Sequence, residues 1–242
     1  VDQVTNLTSD WMQTQAEIMQ MPVVINEIAW MGTFATFNDE WIELYNRSNS
    51  SIDLAGWILI SSDNSPNITL SGIISPNSYY LLERTANTTI SDIAADKIYT
   101  GALTDGGEII TILSPDNRVI DRVSGWYAGS TTNRITMERI NPAAGGDTAA
   151  NWASNNGATK NGLDAAGNLI NGTPRAQNSA YNSNASVGTY IADTTVISTN
   201  TIWSLAGSPY FLMSNSGQSP KVASGATLTI EPGVIIKSLN KN

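Results

Sequence analysis

From residue 23 onward the chain alternates short apolar runs with polar turns. Val23-Val24-Ile25-Asn26-Glu27-Ile28-Ala29-Trp30 comes first, then Glu40-Trp41-Ile42-Glu43-Leu44-Tyr45-Asn46, then Ile52-Asp53-Leu54-Ala55-Gly56-Trp57. β-branched and aromatic residues dominate these runs, and each has the length of a strand. Strict alternation in the second run sets Ile42, Leu44 and Asn46 on one face and Trp41, Glu43 and Tyr45 on the other. The first set predicts core. The second predicts an amphipathic outer face or a second packed face.

Further runs follow at similar spacing. Trp57-Ile58-Leu59-Ile60 is apolar on both faces, as a central strand requires, and Ile68-Thr69-Leu70 is a short strand. Tyr79-Tyr80-Leu81-Leu82-Glu83 is another strand, and residues 85–98 read as a connection with a helical turn near Ser91-Asp92-Ile93-Ala94. Ile109–Leu113 and Arg118–Val123 form a hairpin across Ser114-Pro115-Asp116-Asn117, where Pro presets the turn and Asp and Asn tolerate its strained positions. A last strand runs through Ile135-Thr136-Met137-Glu138-Arg139. Turn signals recurring about every ten residues favour a β-sandwich over a βαβ fold.

Both ends differ in texture. Residues 1–21 read as a leader or connecting segment; Ser9 to Met19 fit a short helix with Ser9 as its cap and Asp10 near its positive end. Pro22 closes that segment. Residues 22–181 are assigned to the sandwich, 182–200 to a linker, and 201–242 to the start of a second β-module. The start at Val1 and the stop at Asn242, soon after a strand-like run, read as a piece of a longer chain.

The ordered set Ile25-Asn26-Glu27-Ile28, Glu40-Trp41-Ile42-Glu43-Leu44, Leu54-Ala55-Gly56-Trp57, the hairpin, Met137-Glu138-Arg139, Asn151-Trp152 and Gly172-Thr173-Pro174 resembles the lamin-tail domain over about residues 23–180. That resemblance implies an all-β, immunoglobulin-like β-sandwich with a C-terminal β-rich extension, in a family found in nuclear lamins and secreted bacterial proteins and not known for catalysis. The pieces Thr201–Leu205, Gly207–Met213 and Val222–Ile236 resemble the opening coils of right-handed parallel β-helix proteins of bacterial surfaces. Such coils bury their apolar faces only on neighbours.

Composition narrows the chemistry. With no histidine and no cysteine, Ser-His-Asp and Cys-His machinery, disulfides and His-bound zinc are excluded within the chain. The formal net charge of −9 repels phosphate backbones, which disfavours nucleic acid as a partner. No apolar run is long enough to span a bilayer. These features suit a secreted or cell-surface protein whose partners are other proteins, copies of itself or carbohydrate.

Three sets of residues could carry chemistry. Glu27, Asp39, Glu40 and Glu43 form the densest acidic group; the simplest expectation is a solvated sheet edge plus core positions, while a carboxylate pair beside Trp30 and Trp41 would suit sugar cleavage. Glu27, Asp39 and Glu40 are also candidate ligands for Ca²⁺, a hard ion that takes oxygen donors, although no Asp-x-Asp-x-Asp-Gly loop occurs. Trp126 and Tyr127, after Gly125 on a loop, are the candidate carbohydrate-binding patch, with Trp57 assigned to the core. The expected function is adhesion, anchoring or self-assembly by a non-catalytic β-module. The alternative is a substrate-binding accessory domain, for polysaccharide or nucleic acid, of a larger secreted enzyme.

Overall fold

The computed structural model describes residues 22–183, 189–203, 210–214, 218–231, 234 and 236–240. The helix expected over Ser9 to Met19 lies outside these residues. The chain divides into two compact units, parting between Ser183 and Asn184.

The first unit carries β1 (Val23–Ala29), β2 (Trp41–Asn46), β3 (Ile52–Asp53), β4 (Ile58–Ser61), β5 (Asn67–Thr69), β6 (Ile73–Ile74), β7 (Tyr79–Arg84), β8 (Lys97–Tyr99), β9 (Ile110–Leu113), β10 (Val119–Val123), β11 (Met137–Arg139) and β12 (Trp152–Ser154), with a 3-10 turn at Ala149–Asn151. One sheet has the order β12-β11-β1-β2-β7-β8 and the other β10-β9-β4-β5; β3 and β6 form a small ladder. This is an immunoglobulin-like β-sandwich. Ile42 and Leu44 register with Ile28 and Ile25 on one side and with Leu82 and Tyr80 on the other. They pack with Leu59, Ile110 and Ile112 of the second sheet in one buried cluster. Each such Leu or Ile removed from water stabilises the fold by about 1.5–3 kcal/mol.

Arg139 and Asp121 tie the two sheets together at this core. The guanidinium grips the carboxylate with two bonds, 2.7 and 3.0 Å, and donates to the Ile25 carbonyl at 2.9 Å. The Ile25 amide donates to the same carboxylate at 2.8 Å. Both side chains are sealed from water, and the guanidinium carbon lies 5.3 Å from the Trp152 ring centre.

The opposite face of the six-stranded sheet is also covered. Trp41, Glu43, Leu81, Glu83 and Glu27 are buried there, beneath residues 155–180, whose amides and hydroxyls bond to that face. A sheet buried on both sides explains why β1 is buried at every position. Two sequence expectations change. The connection 85–98 contains β8, which pairs in parallel with β7, and the expected helical turn is a simple turn closed by Ile93 N–H to the Ile90 carbonyl. Trp152 opens a further strand, paired with β11.

The second unit carries β13 (Thr189–Ile191), β14 (Val196–Ile197), β15 (Thr201–Trp203), β16 (Tyr210–Ser214), β17 (Lys221–Val222), β18 (Leu228–Ile230) and β19 (Ile236–Asn240). Every pairing is parallel: β13 to β16 to β19, β14 to β17, and β15 to β18. Each strand therefore meets the one three places further on. The expected linker 182–200 contains β13 and β14. They are only three and two residues long, and what fixes them as strands is a ladder to residues far along the chain, which the local sequence does not display. Trp203 and Tyr210 stack inside this unit with ring centres 4.5 Å apart.

Candidate functional site

The strongest electrostatic feature is a row of three buried glutamates. Glu27 on β1 stands opposite Glu43 on β2 and Glu138 on β11. All three are fully removed from solvent. Like charges this close in a dry setting are costly unless each is hydrogen-bonded or neutralised.

The chain supplies the donors. Glu27 accepts from the Thr136 hydroxyl at 2.6 Å, the Thr173 amide at 2.9 Å and the Thr173 hydroxyl at 2.9 Å. Glu43 accepts from the Asn26 amide group at 3.0 Å and from the Arg175 backbone amide. Glu138 accepts from Asn155 at 2.6 Å, Ser179 at 2.6 Å and the Ala180 amide at 2.9 Å. The Thr173 hydroxyl also lies 3.1 Å from Glu138. One hydroxyl proton cannot serve two carboxyl oxygens, so a proton on Glu27 completes the set. Accordingly burial, and next the Glu138 carboxylate, push Glu27 up to about 8. Burial, then Glu27, raises Glu43 well above the ordinary range.

The row thus fastens Gly172-Thr173-Pro174-Arg175 onto the sheet. Gly172 approaches so closely that a Cβ there would lie 2.5 Å from a Glu27 oxygen and 2.7 Å from the Thr136 methyl. Of the acids for which the sequence suggested a solvated edge plus core positions, Asp39 is half-buried, and Glu27, Glu40 and Glu43 take the core positions. They are interior fasteners.

The candidate Ca²⁺ ligands take separate partners. Glu27 belongs to the row. Glu40 is buried, pairs with Arg84 at 2.8 Å and accepts the Leu103 amide at 2.7 Å, and burial still raises it to about 7. Asp39 accepts the Thr33 hydroxyl at 3.0 Å, and partial burial raises it too. Among the described residues no group of three or more acidic side chains is placed to hold a metal ion.

Trp126 and Tyr127 are half-buried against the core. Trp126 stacks on Trp30, ring centres 6.1 Å apart and planes 5° from parallel, and its indole N–H donates to the Thr104 carbonyl at 2.8 Å. The Tyr127 amide donates to the Met137 sulfur at 3.1 Å. Both residues pin their loop, leaving only part of each ring to solvent. Trp57 is likewise half-buried against the core.

A cleft not singled out from sequence lies at one end of the sandwich, with a volume of about 310 Å³. Tyr45 and Tyr79, cross-strand partners on β2 and β7, meet there with ring centres 5.0 Å apart. Tyr181, Arg47, Asn77 and Gln177 complete its usable walls. The alternation that put Tyr45 on the non-core face was legible. Its meeting with Tyr79 and Tyr181 depended on strand register and on the path of residues 155–183.

Two sheets closed over one apolar core, with a covering strap, define a β-sandwich module. Residues 19–128 match the family model of the Lamin Tail Domain. The match spans β1 to β10 and stops before β11, β12 and the Gly172-Thr173-Pro174 strap, so it is shorter than the stretch of resemblance read from sequence. No curated protein matches the chain.

Proposed function

We propose that the chain is a non-catalytic β-module that acts by adhesion, anchoring or self-assembly outside the cell or at its surface. Two features support the absence of catalysis. Histidine and cysteine are missing, and the carboxylate row of Glu27, Glu43 and Glu138 is sealed from solvent and occupied by the chain's own donors. The observation that carries assembly is the parallel stack of β13 to β19. We read it as the opening coils of a parallel β-helix. Its register columns Ile197 with Val222 and Trp203 with Ile230 line a cavity of about 330 Å³ together with Leu212, Leu228 and Ile236, the last of which stands beside Tyr210 in register. Trp203 and Tyr210 are buried, but Val222, Ile230 and Ile236 remain 46%, 45% and 40% exposed. A stacked coil with bare apolar columns gains by taking another layer. Static light scattering over a concentration series tests this: the expected result is a mass that rises with concentration, and a mass fixed at the monomer value would overturn assembly.

The accessory-domain reading is favoured by a different observation, the tyrosine-lined cleft. Its test is binding rather than mass.

A further inference from the structure

We propose that the cleft between Tyr45, Tyr79 and Tyr181 binds an acidic polysaccharide, with a sugar ring against the tyrosine faces and its carboxylate on Arg47. The inference deepens the accessory-domain reading by naming a ligand class, and rests on it. Four observations converge. Tyr45 and Tyr79 are half-buried with their rings together, and Tyr181 is 42% exposed across the same cleft. Among the described residues, the hydroxyls of all three tyrosines make no hydrogen bond. Arg47 is half-buried, yet its guanidinium has no ion pair and no hydrogen bond among those residues; the neighbouring Asp121 is already held by Arg139. No Leu, Ile, Val, Met or Phe side chain lines the cleft among the described residues.

Each feature selects a property of the ligand. Flat tyrosine rings offer an apolar face with a polar rim, which matches the C–H faces and hydroxyls of a pyranose. Exposed amides at Asn77 and Gln177 can give and take hydrogen bonds with ring hydroxyls. An unpaired guanidinium seeks a carboxylate, which it grips with two parallel bonds. Burial, and then the Arg139 cation, pull Arg47 below its ordinary value, and an arriving anion offsets both. Pro142 and Ala143 are the only aliphatic side chains among the described lining residues, which argues against a peptide, whose larger apolar side chains need deeper pockets. On a chain of net charge −9, one free, recessed cation is a selective anchor rather than a general basic patch.

The test is calorimetric titration of the full chain at fixed ionic strength with three probes: trigalacturonate, neutral cellotriose, and a pentaglutamate peptide. The expected result is saturable binding of trigalacturonate, at least about tenfold tighter than cellotriose or the peptide. Arg47→Gln should weaken trigalacturonate about tenfold or more and leave cellotriose unchanged, because only the charge-assisted bonds are lost. Tyr181→Ala should weaken both sugars, and Phe37→Ala, at a 67% exposed residue, neither. Should Arg47→Gln lose its β-sheet circular-dichroism spectrum, Arg47→Lys replaces it, with weaker trigalacturonate binding expected because the forked donor is gone. No saturable binding at millimolar trigalacturonate overturns the site and the accessory-domain reading together. Sugar binding that is equal for trigalacturonate and cellotriose, or indifferent to the change at Arg47, overturns the acidic ligand alone. Peptide binding equal to trigalacturonate overturns the sugar.

Discussion

The two units solve the same problem in opposite ways. The sandwich finishes its own interior: Ile25, Ile42, Leu44 and Leu81 are wholly buried, and even the second face of its larger sheet is roofed by residues 155–180. The stack of β13 to β19 buries Trp203 and Tyr210 and leaves their register partners Ile230 and Ile236 largely bare. The difference lies in topology. The sandwich's two main sheets, antiparallel except for the β7–β8 edge, close on each other, so apolar area is consumed within one body. In a parallel stack each layer contacts only its neighbours, so stability is a sum over layers and the last face always remains. Disruption of the sandwich should therefore be cooperative and large, and disruption of the stack local and small.

Removing the inter-sheet tie breaks the first half of that comparison hardest. Arg139→Ala leaves Asp121 buried with no cation and strips a donor from the Ile25 carbonyl. A buried pair broken on one side costs about 3–5 kcal/mol. Urea titration followed by tryptophan fluorescence should show a single, strongly shifted transition for the sandwich. A loss below about 1 kcal/mol would mean that the tie is not a structural centre. Asp121→Asn with Arg139→Leu should recover part of the loss, since no charge is then stranded.

Gly172→Ala tests the strap. The added methyl meets a Glu27 oxygen at 2.5 Å and the Thr136 methyl at 2.7 Å, so the strap must lift or the carboxyl must turn. Overpacking of this kind costs about 1–3 kcal/mol. Hydrogen exchange should rise first at the Thr173 and Arg175 amides, which donate to Glu27 and Glu43. Unchanged exchange there would remove the strap from the list of fasteners.

Much of the sandwich is legible in the sequence, for a physical reason. Its core strands announce themselves through period-two alternation and turn residues, which are local signals. Asn117, in the left-handed region at φ 61°, sits in the hairpin turn where such a residue was expected. The roles of the acids were hidden. Glu27, Glu43 and Glu138 each adjoin at least one apolar residue, as solvated strand residues do, and the return of Thr173 from far along the chain helps to seal the row. The Gly172-Thr173-Pro174 motif was visible as a pattern without its purpose. Trp126 and Tyr127 looked like a surface patch because a loop after a glycine hides the stacking partner, Trp30, from local view. In the second unit, parallel pairing leaves almost no local trace, and β13 and β14 read as linker.

Acidity offers a graded probe of the sealed row. Glu27 has an ordinary value of 4.5 and rises to about 8 in the fold. Between those values the folded chain keeps a proton that the unfolded chain has lost. Stability is therefore highest near and below 4.5 with respect to this group, and falls as pH rises to about 8, by at most about 1.4 kcal/mol per pH unit. Glu43, and Glu40 and Glu83 at about 7, are raised for the same reason of burial and act in the same direction. Asp63 and Asp116, held low by the hydroxyls of Ser61 and Ser114, act only below the ordinary aspartate value of 3.8 and do not enter this window. Glu27→Gln should lessen the fall of the denaturation midpoint with pH between about 5 and 8, leaving the part due to Glu40, Glu43 and Glu83. A wild-type midpoint that climbs across that window would contradict the sealed, proton-holding row.

The mildest change sharpens the other half of the comparison. Ile230 lies opposite Trp203 in the register of the stack and is 45% exposed. Ile230→Asp removes little buried area, so the urea transition of the sandwich should move by no more than about 0.5 kcal/mol, as for a surface substitution. The same change places a charge on the apolar column that a further layer would cover, and light scattering should then report the monomer at every concentration. If the sandwich transition shifts by several kcal/mol, the two units are not energetically separate. If association persists unchanged, the chains meet through some surface other than these columns. Stability and association thus separate in a single variant, which is what an open stack beside a closed sandwich requires.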